Sequence, residues 1–230
     1  MSKKKTIAVA VVLALVLIIG GMLAYFTDTD TKTNVFTLGD AVEITLLENN
    51  WSLTDTDDDD VPDASQGVHP GTRIAKDPTI QNDSATTPAY VFVEVIVPCY
   101  DSDANGSADK PVFLLLDSSD TALTMTQNSA GNTGWTLINT PSVNTTDKTI
   151  TYVYAYGSSS TMTSLAESPS TPKTTTSTPA FSKVQVDPAL TSTQAATASN
   201  TPNIVVNAYG IQTDGLDVTT PSAIFALFSN

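Results

Sequence analysis

The sequence contains one cysteine and one histidine, and this scarcity excludes several kinds of site. Cys99 alone cannot form an intrachain disulfide or supply the several thiolates of a structural zinc or iron–sulfur centre. His69 alone cannot provide the two imidazoles of an H-E-x-x-H metalloprotease, and that motif is absent. Residues 67–71 have the pattern of a turn, so His69 is predicted to lie in that turn. Cys99 follows an apolar strand and is predicted to be a small buried hydrophobic residue. We therefore predict that the chain is not an enzyme and has no catalytic residues.

Cationic side chains are also scarce. The 230 residues include 10 Lys and Arg against 24 Asp and Glu, for a formal net charge of −14 at pH 7. Because three of the ten lie at residues 3–5, the rest of the chain beyond residue 24 holds 7 basic and 24 acidic residues. Binding of nucleic acid requires clustered Lys and Arg, so nucleic acid is excluded as a partner.

The N-terminus has the pattern of an export signal. Lysines at residues 3–5 precede the unbroken apolar run 7–19, and Ala24 offers a small residue for cleavage before Tyr25. We predict a signal peptide over residues 1–24, cut by a signal peptidase. The alternative is an uncleaved membrane anchor, because the 18 residues 7–24 are just above the ~17-residue minimum for spanning a bilayer. Either outcome places the remainder outside the cytoplasm, in an extracellular matrix or at the cell surface, with membrane contact only through an uncleaved leader.

Beyond the leader, the hydrophobic pattern predicts an all-β chain. Residues 89–97 are dense in β-branched and aromatic side chains on both alternating faces, which is typical of a central buried strand. Clusters of Gly, Pro, Asn, Asp and Ser separate the runs. The other predicted strands are 42–47, 112–116, 135–138, 149–156, 181–186 and 204–211. We predict an antiparallel, jelly-roll-like β-sandwich over residues 39–230, with long loops.

Three further segments carry structural predictions. Residues 222–228 should form a short C-terminal helix, since Thr220 is a suitable N-cap and Pro221 suits the first helical position, and Ile224, Leu227 and Phe228 should dock it. Residues 121–126 have a weaker helical pattern. Residues 158–179 hold 14 Ser or Thr among 22 residues, which predicts a solvated loop that buries little apolar surface.

Several sequence blocks resemble one family. They are the leader junction 23–28 (LAYFTD), 34–39 (NVFTLG), 42–46 (VEITL), 76–82 (KDPTIQN), 89–91 (AYV) and 206–215 (VNAYGIQTDG). These blocks resemble the TasA–camelysin family of secreted biofilm-matrix proteins, which a SipW-type signal peptidase processes. The resemblance implies a jelly-roll domain and assembly into extracellular fibres, in which the segment exposed by cleavage completes the sheet of a neighbouring subunit. Part of this family is described as metallopeptidases, an activity that the single histidine does not support.

Residues 25–38 have the character of a donor strand. Thr27, Thr29, Thr31 and Thr33 alternate with polar residues, and no apolar face for the chain's own core begins before Val35 and Phe36. At ~3.3 Å per residue the segment can extend roughly 46 Å and pair with an open sheet edge. Tyr25 and Phe26 would fill apolar pockets. The alternative is an ordinary first strand.

Two acidic loops have the spacing of calcium ligands. The first oxygen-rich loop is Asp55, Asp57, Asp59, Val61 and Asp63, and the second is Asp101, Asp103, Asn105, Ser107 and Asp109. The second matches D-x-[DN]-x-[DN]-G with Gly106 at the turn, but Val112 stands where a bidentate Glu is expected. In the first, Asp60 replaces the glycine. The alternative for both is a solvated acidic loop.

Two functions of different classes follow. The first is a structural subunit of an extracellular fibre that polymerises with itself, stabilised by Ca²⁺ and joined by a matrix or anchoring protein. The second is a monomeric or membrane-anchored calcium-binding domain of the cell surface.

Overall fold

The computed structural model describes residues 41–52, 54–58, 62–196, 198 and 203–229. The predictions for the leader, for cleavage between Ala24 and Tyr25 and for the donor segment lie outside these ranges. Within them, no helix combines the length and the apolar character needed to cross a bilayer.

The described residues form an antiparallel all-β fold, as predicted. Its strands are β1 (Ile44–Glu48), β2 (Arg73–Ala75), β3 (Pro78–Asn82), β4 (Ala89–Tyr100), β5 (Lys110–Pro111), β6 (Phe113–Leu116), β7 (Trp135–Leu137), β8 (Val143–Asn144), β9 (Thr149–Tyr156), β10 (Thr174–Thr175), β11 (Lys183–Val186) and β12 (Val205–Gln212). The helices are α1 (Ser192–Ala195) and α2 (Pro221–Phe225), with 3₁₀ turns at Asp63–Ser65 and Ala226–Ser229.

The strands are arranged in three sheets. The largest has the order β12-β4-β9-β7, with β5 added to β4 and β8 added to β9. The two smaller sheets are β1-β3-β10 and β2-β11-β6. All of these pairings are antiparallel, including the long register of β4 with β12 from Val205↔Ile96 to Gln212↔Ala89.

The main core lies between the large sheet and the two smaller sheets. Alternate residues of β4 face it, and they pack with tyrosines of β9 and with aliphatic residues of β3, β6 and β11. The members of this core that are less than 1% exposed include Ile80, Val91, Val93, Val95, Val97, Leu115 and Phe181. The alternation in residues 89–97 predicted a central buried strand, and this is confirmed, because one face of β4 packs into the core of the sandwich.

The other face of β4 is covered by the C-terminal segment. Phe92 contacts the rings of Phe225 and Phe228, with centroids 5.3 and 5.9 Å apart, and Ile224 is 1% exposed. Pro221 begins the helix at its first position, as predicted, although the Thr220 side chain makes no capping hydrogen bond. Leu227, expected to dock with Ile224 and Phe228, is instead 40% exposed because the chain tightens into a 3₁₀ turn after Phe225.

Two other expectations for irregular segments were wrong. Residues 121–126 are not helical, since Ala122 forms a bridge with Leu116 beside β6. The Ser/Thr-rich segment is not simply solvated: Met162 and Leu165 are buried, and Leu165 forms a bridge with Ala89.

Hydrogen bonding explains why so polar a segment is ordered. The fully buried Asn82 donates through its side-chain amide to the carbonyls of Leu165 and Ala166, each at 3.1 Å. Lys173 Nζ donates to the carbonyls of Asp83 and Ser168 at 3.1 and 2.9 Å. These hydrogen bonds satisfy backbone carbonyls of the Ser/Thr-rich segment. From the composition alone, those carbonyls would be expected to bond to water.

The C-terminal docking can be tested with two matched substitutions. We expect Ile224→Ala to lower the free energy of unfolding by about 2–5 kcal/mol, because it removes a fully buried side chain from a packed interface. Leu227→Ala should change it by no more than ~0.5 kcal/mol, since that side chain is exposed. Urea unfolding of both variants measures the difference, and equal losses would show that α2 is not docked as described.

Candidate functional sites in two acidic loops

The first acidic loop brings three of its five predicted ligands together. Asp55, Asp57 and Asp63 each place a carboxylate oxygen within 4.8 Å of the others. Asp57 and Asp63 are exposed and Asp55 is half-buried. The remaining predicted ligands, Asp59 and Val61, lie outside the described residues. A cluster of hard oxygen donors is the ligand set that calcium prefers.

Hydrogen bonds within this loop hold Asp63 against its start. The Asp63 N–H donates to the Thr54 carbonyl at 2.8 Å. The Asp63 carboxylate in turn accepts from the Thr56 N–H and hydroxyl, both at 3.0 Å. Asp57 Oδ1 accepts from the Gln66 side-chain amide at 3.0 Å. These hydrogen bonds close the loop, and the carboxylates of Asp55, Asp57 and Asp63 lie close together in it.

A buried polar cluster fixes the N-terminal end of the same loop to the sheet. Lys76 Nζ lies 2.8 and 2.9 Å from the two carboxylate oxygens of Glu48, and 4.6 Å from the ring centroid of Trp51. Next to it, Asp77 accepts from the N–H and side-chain amide of Asn50 at 2.8 and 2.7 Å. Because Lys76 and Asp77 are both buried, these contacts exclude water and anchor residues 48–51 firmly.

Sequence reasoning did not identify this anchor. In the sequence, Lys76 and Asp77 belong only to a block that resembles a family, and Trp51 is predicted to take part in core or edge packing rather than in a site. A signal was present, because a Lys-Asp pair directly before an apolar strand is an unusual place for two charges to be buried.

The second acidic loop uses its carboxylates to hold its own backbone. Asp101 Oδ2 accepts from the Gly106 N–H at 2.6 Å, and Oδ1 accepts from the N–H groups of Asp103 and Asn105 at 3.3 and 3.2 Å. Gly106 has φ of +91°, so the predicted need for glycine at this turn is met. Asn105 Oδ1 accepts from the Ser107 N–H at 2.8 Å.

The far end of this loop closes in the same way. Asp109 accepts from the Ser102 N–H at 2.7 Å and from its hydroxyl at 2.6 Å. Among the described residues, Asp101, Asp103 and Asp109 do not form a cluster of mutually close carboxylate oxygens such as that of the first loop. The five predicted ligands thus share a loop, but hydrogen bonding to the backbone orients its carboxylates.

These hydrogen bonds lower the pKa values of two loop carboxyls. For Asp109, the bonds from the Ser102 hydroxyl and N–H hold the pKa below its usual range. For Asp101, burial raises the pKa, but the bonds from the Gly106 and Asn105 N–H groups outweigh this and leave the pKa lowered. Both groups therefore bind protons less readily in the folded chain.

The two residues considered for catalysis are in unreactive surroundings. His69 is exposed in a turn, where its backbone N–H donates to the Thr72 hydroxyl at 3.0 Å. Cys99 is fully buried, and burial together with nearby Asp109 raises the pKa of its thiol to about 12. A thiol with that pKa remains protonated at neutral pH, so it is a weak nucleophile and a weak metal ligand.

The lowered pKa values predict how stability depends on pH. A carboxyl whose pKa is lower in the folded chain than in the unfolded chain, where it is near the ordinary 3.8, stabilises the fold at pH values above that unfolded pKa. This stabilisation is lost as the pH falls through the folded pKa. We expect urea unfolding of the wild type to show stability decreasing on acidification through that range. Ser102→Ala should make the decrease shallower, because it removes one hydrogen bond that lowers the Asp109 pKa. An unchanged slope in that variant would contradict the assignment.

Comparison with known proteins supports the resemblance seen in the sequence. No curated protein matches the chain. Residues 1–110 match the family model described as camelysin metallo-endopeptidase. The match covers the predicted leader segment 1–24, the first acidic loop, the buried Lys76 anchor, the whole of β4 and the second acidic loop, and it ends at Lys110. The matched family is the one that the sequence blocks resemble, and the match spans 110 of the 230 residues.

Proposed function

We propose that this protein is a secreted structural subunit of an extracellular matrix fibre, polymerising by donation of residues 25–38 to the sheet of a neighbouring copy. The observation that carries the proposal is the character of β12. This eight-residue strand pairs with β4 along one side, and no described residue pairs with its other side.

β12 lacks the features by which proteins protect an open edge. Its sequence, VVNAYGIQ, contains no charged residue and no proline, and Val205 is 45% exposed. Native edge strands are usually short, charged or interrupted, because an open row of N–H and C=O groups recruits other strands. At the opposite side of this sheet, the three-residue β7 is flanked by a bridge between Ala130 and Thr136. Within the large sheet, β12 is therefore the edge better suited to accept a strand.

The start of the described chain packs over the face of β12 that is turned toward the main core. A Cβ placed on Gly210 would lie 2.9 Å from Ile44 Cγ2 and 3.1 Å from Val42 Cγ1, so glycine makes room for these side chains. Residues 25–38 thus precede a segment that passes next to β12. Their threonine-rich alternation suits β-augmentation, in which main-chain hydrogen bonds provide affinity and alternate side chains provide register.

A catalytic role for this chain finds no support in its donor groups. The name of the matching family describes a metallo-endopeptidase, and a catalytic zinc of that kind is held by histidine with carboxylate. The chain has one histidine, which is exposed in a turn, and its one cysteine is buried. The three carboxylates of the first loop suit a hard cation rather than zinc. We therefore propose a structural role, and derive no hydrolytic step.

We propose that Ca²⁺ stabilises the subunit at Asp55, Asp57 and Asp63. Three carboxylates within 4.8 Å of one another repel when no cation lies between them. The loop is anchored to the sheet through Trp51 and Lys76, so a bound ion would stiffen the domain as well as the loop. Without a bidentate glutamate, the affinity should lie in the extracellular range, with Kd of about 10⁻⁴–10⁻³ M.

A second candidate function is a monomeric calcium-binding domain of the cell surface. The same carboxylate cluster favours it, since that cluster needs no polymer. Under this alternative residues 25–38 would cover β12 of their own chain, and no fibre would form. Assembly assays distinguish the two.

The fibre proposal makes a prediction about complementary variants. A chain lacking residues 25–38 keeps its acceptor edge but has no donor, so it should stay folded, fail to polymerise alone and cap growing wild-type fibres. Val205→Lys places a charge on the edge and should also reduce fibre formation. Leu227→Lys alters a similarly exposed residue in the C-terminal turn and should polymerise normally. Electron microscopy and sedimentation measure these outcomes, and normal fibres from the truncated chain would refute strand donation.

The calcium proposal predicts a concentration-dependent stabilisation. With a few millimolar Ca²⁺ and a Kd near 10⁻⁴ M, the gain should be roughly 2 kcal/mol, seen as a higher Tm than with chelator. Asp57→Asn should abolish this gain, because that carboxylate bonds only to Gln66 among its described hydrogen bonds and its loss leaves the loop closed. The double variant Asp101→Asn/Asp103→Asn tests the second loop in the same way. Identical melting of the wild type in both solutions would exclude calcium.

A further inference from the structure

The tip of the second acidic loop carries a reactive pair, Asn105-Gly106. An asparagine side-chain amide can be attacked by the backbone nitrogen of the next residue, and glycine hinders this attack least because it has no Cβ. Asn105 and Gly106 are both exposed, so water has access to the product of such an attack. The hydrogen bonds at this pair determine whether the attack occurs.

Both reacting groups are held. The attacked side chain is fixed because Asn105 Oδ1 accepts from the Ser107 N–H at 2.8 Å. The attacking nitrogen is fixed because the Gly106 N–H donates to Asp101 Oδ2 at 2.6 Å. The Asn105 N–H, one residue earlier, donates to Asp101 and Asp103 at 3.2 and 3.3 Å.

We propose that Asn105-Gly106 is a latent self-modification site and that the Asp101 carboxylate holds it unreacted. Two effects of that carboxylate act in the same direction. The nitrogen must lose its proton to become a nucleophile, and an adjacent negative charge disfavours a second anion. The nitrogen must also turn toward Asn105 Cγ, which breaks a short charge-assisted hydrogen bond.

The reaction that Asp101 restrains is balanced without an external reagent other than water. The Gly106 nitrogen loses its proton to solvent and bonds to Asn105 Cγ, while the Cγ–Nδ2 bond breaks and Nδ2 leaves as ammonia after gaining a proton. Water then opens the cyclic imide at either carbonyl. The products carry aspartate, or its β-linked isomer, in place of Asn105.

The products would change the loop at a defined place. Each adds one negative charge to a loop that already holds Asp101, Asp103 and Asp109. The β-linked isomer also lengthens the backbone by one atom between Asn105 and Gly106. Since Gln194 of α1 donates to the Ser102 carbonyl at 2.7 Å, the altered loop lies against the element that follows β11.

The supporting electrostatics agree with this geometry. An aspartate carboxyl is ionised at neutral pH, so the restraining charge on Asp101 persists under ordinary conditions. The inference does not depend on fibre assembly, because every contact involved is made within residues 101–107. Since Asp101 and Asn105 are also predicted calcium ligands, the reaction is followed in chelator.

The test follows conversion of Asn105 by peptide mapping and mass spectrometry of the purified chain, incubated in chelator at mildly alkaline pH. The samples are the native wild type, the wild type unfolded in urea, Asp101→Ala and Asp101→Asn. Exposed Asn128, which precedes Ser129, serves as an internal control for ordinary deamidation. Circular dichroism establishes that each variant is folded.

We expect the native wild type to react more slowly at Asn105 than the unfolded chain. Asp101→Ala should react roughly tenfold faster than the native wild type, the factor implied by loss of one charge-assisted hydrogen bond. Asp101→Asn keeps an oxygen acceptor without the charge and should be intermediate, and it carries the test if the alanine variant does not fold. The proposal is overturned if native and unfolded chains react equally, or if loss of Asp101 leaves the rate unchanged or slows it, as a general base would require.

Discussion

The fold depends on one constraint, which is that β4 carries large apolar side chains on both of its faces. In a two-layer sandwich one face of each sheet is in contact with water. Such an arrangement would expose the apolar side chains on one face of this twelve-residue strand. The smaller sheets cover the face of Val91, Val93 and Val95, and the C-terminal segment covers Phe92. The domain is therefore layered on both sides of its central strand, and the end of the chain is part of the core rather than an appendage.

Much of this could be predicted from the sequence, because strong periodicity determines where long strands begin and end. β9 has the bounds expected for it, and β4 continues the predicted strand through Pro98 and Cys99 to Tyr100. The elements β2, β3, β5, β8, β10 and α1 were not predicted. Most of them have two to four residues, which carry no detectable period, and β3 (PTIQN) has one isoleucine among polar residues and a proline. Residues 158–179 were misjudged because composition does not reveal tertiary hydrogen bonds, such as those from Asn82 to the Leu165 and Ala166 carbonyls.

The acidic loops show the same limit at the level of a site. Ligand spacing identified both loops, yet the structure clusters the oxygens of Asp55, Asp57 and Asp63 and directs those of Asp101 and Asp109 to backbone N–H groups. Spacing alone cannot separate these outcomes, since an aspartate can serve a cation or its own backbone with similar geometry. The ion pair of Lys76 with Glu48, which anchors the first loop to the sheet, joins residues that are distant in sequence, so ligand spacing does not reveal it either.

The two tryptophans divide the molecule into regions that can be observed separately. Trp135 is 1% exposed, its indole N–H donates to the Thr178 carbonyl at 2.9 Å, and its ring packs on Tyr156. Trp51 is half-buried beneath the Lys76 ammonium, at the base of the first acidic loop. The emission of Trp135 therefore reports the integrity of the core, whereas that of Trp51 reports the seating of one loop. Replacing either residue by phenylalanine would give a chain with a single tryptophan whose location is known.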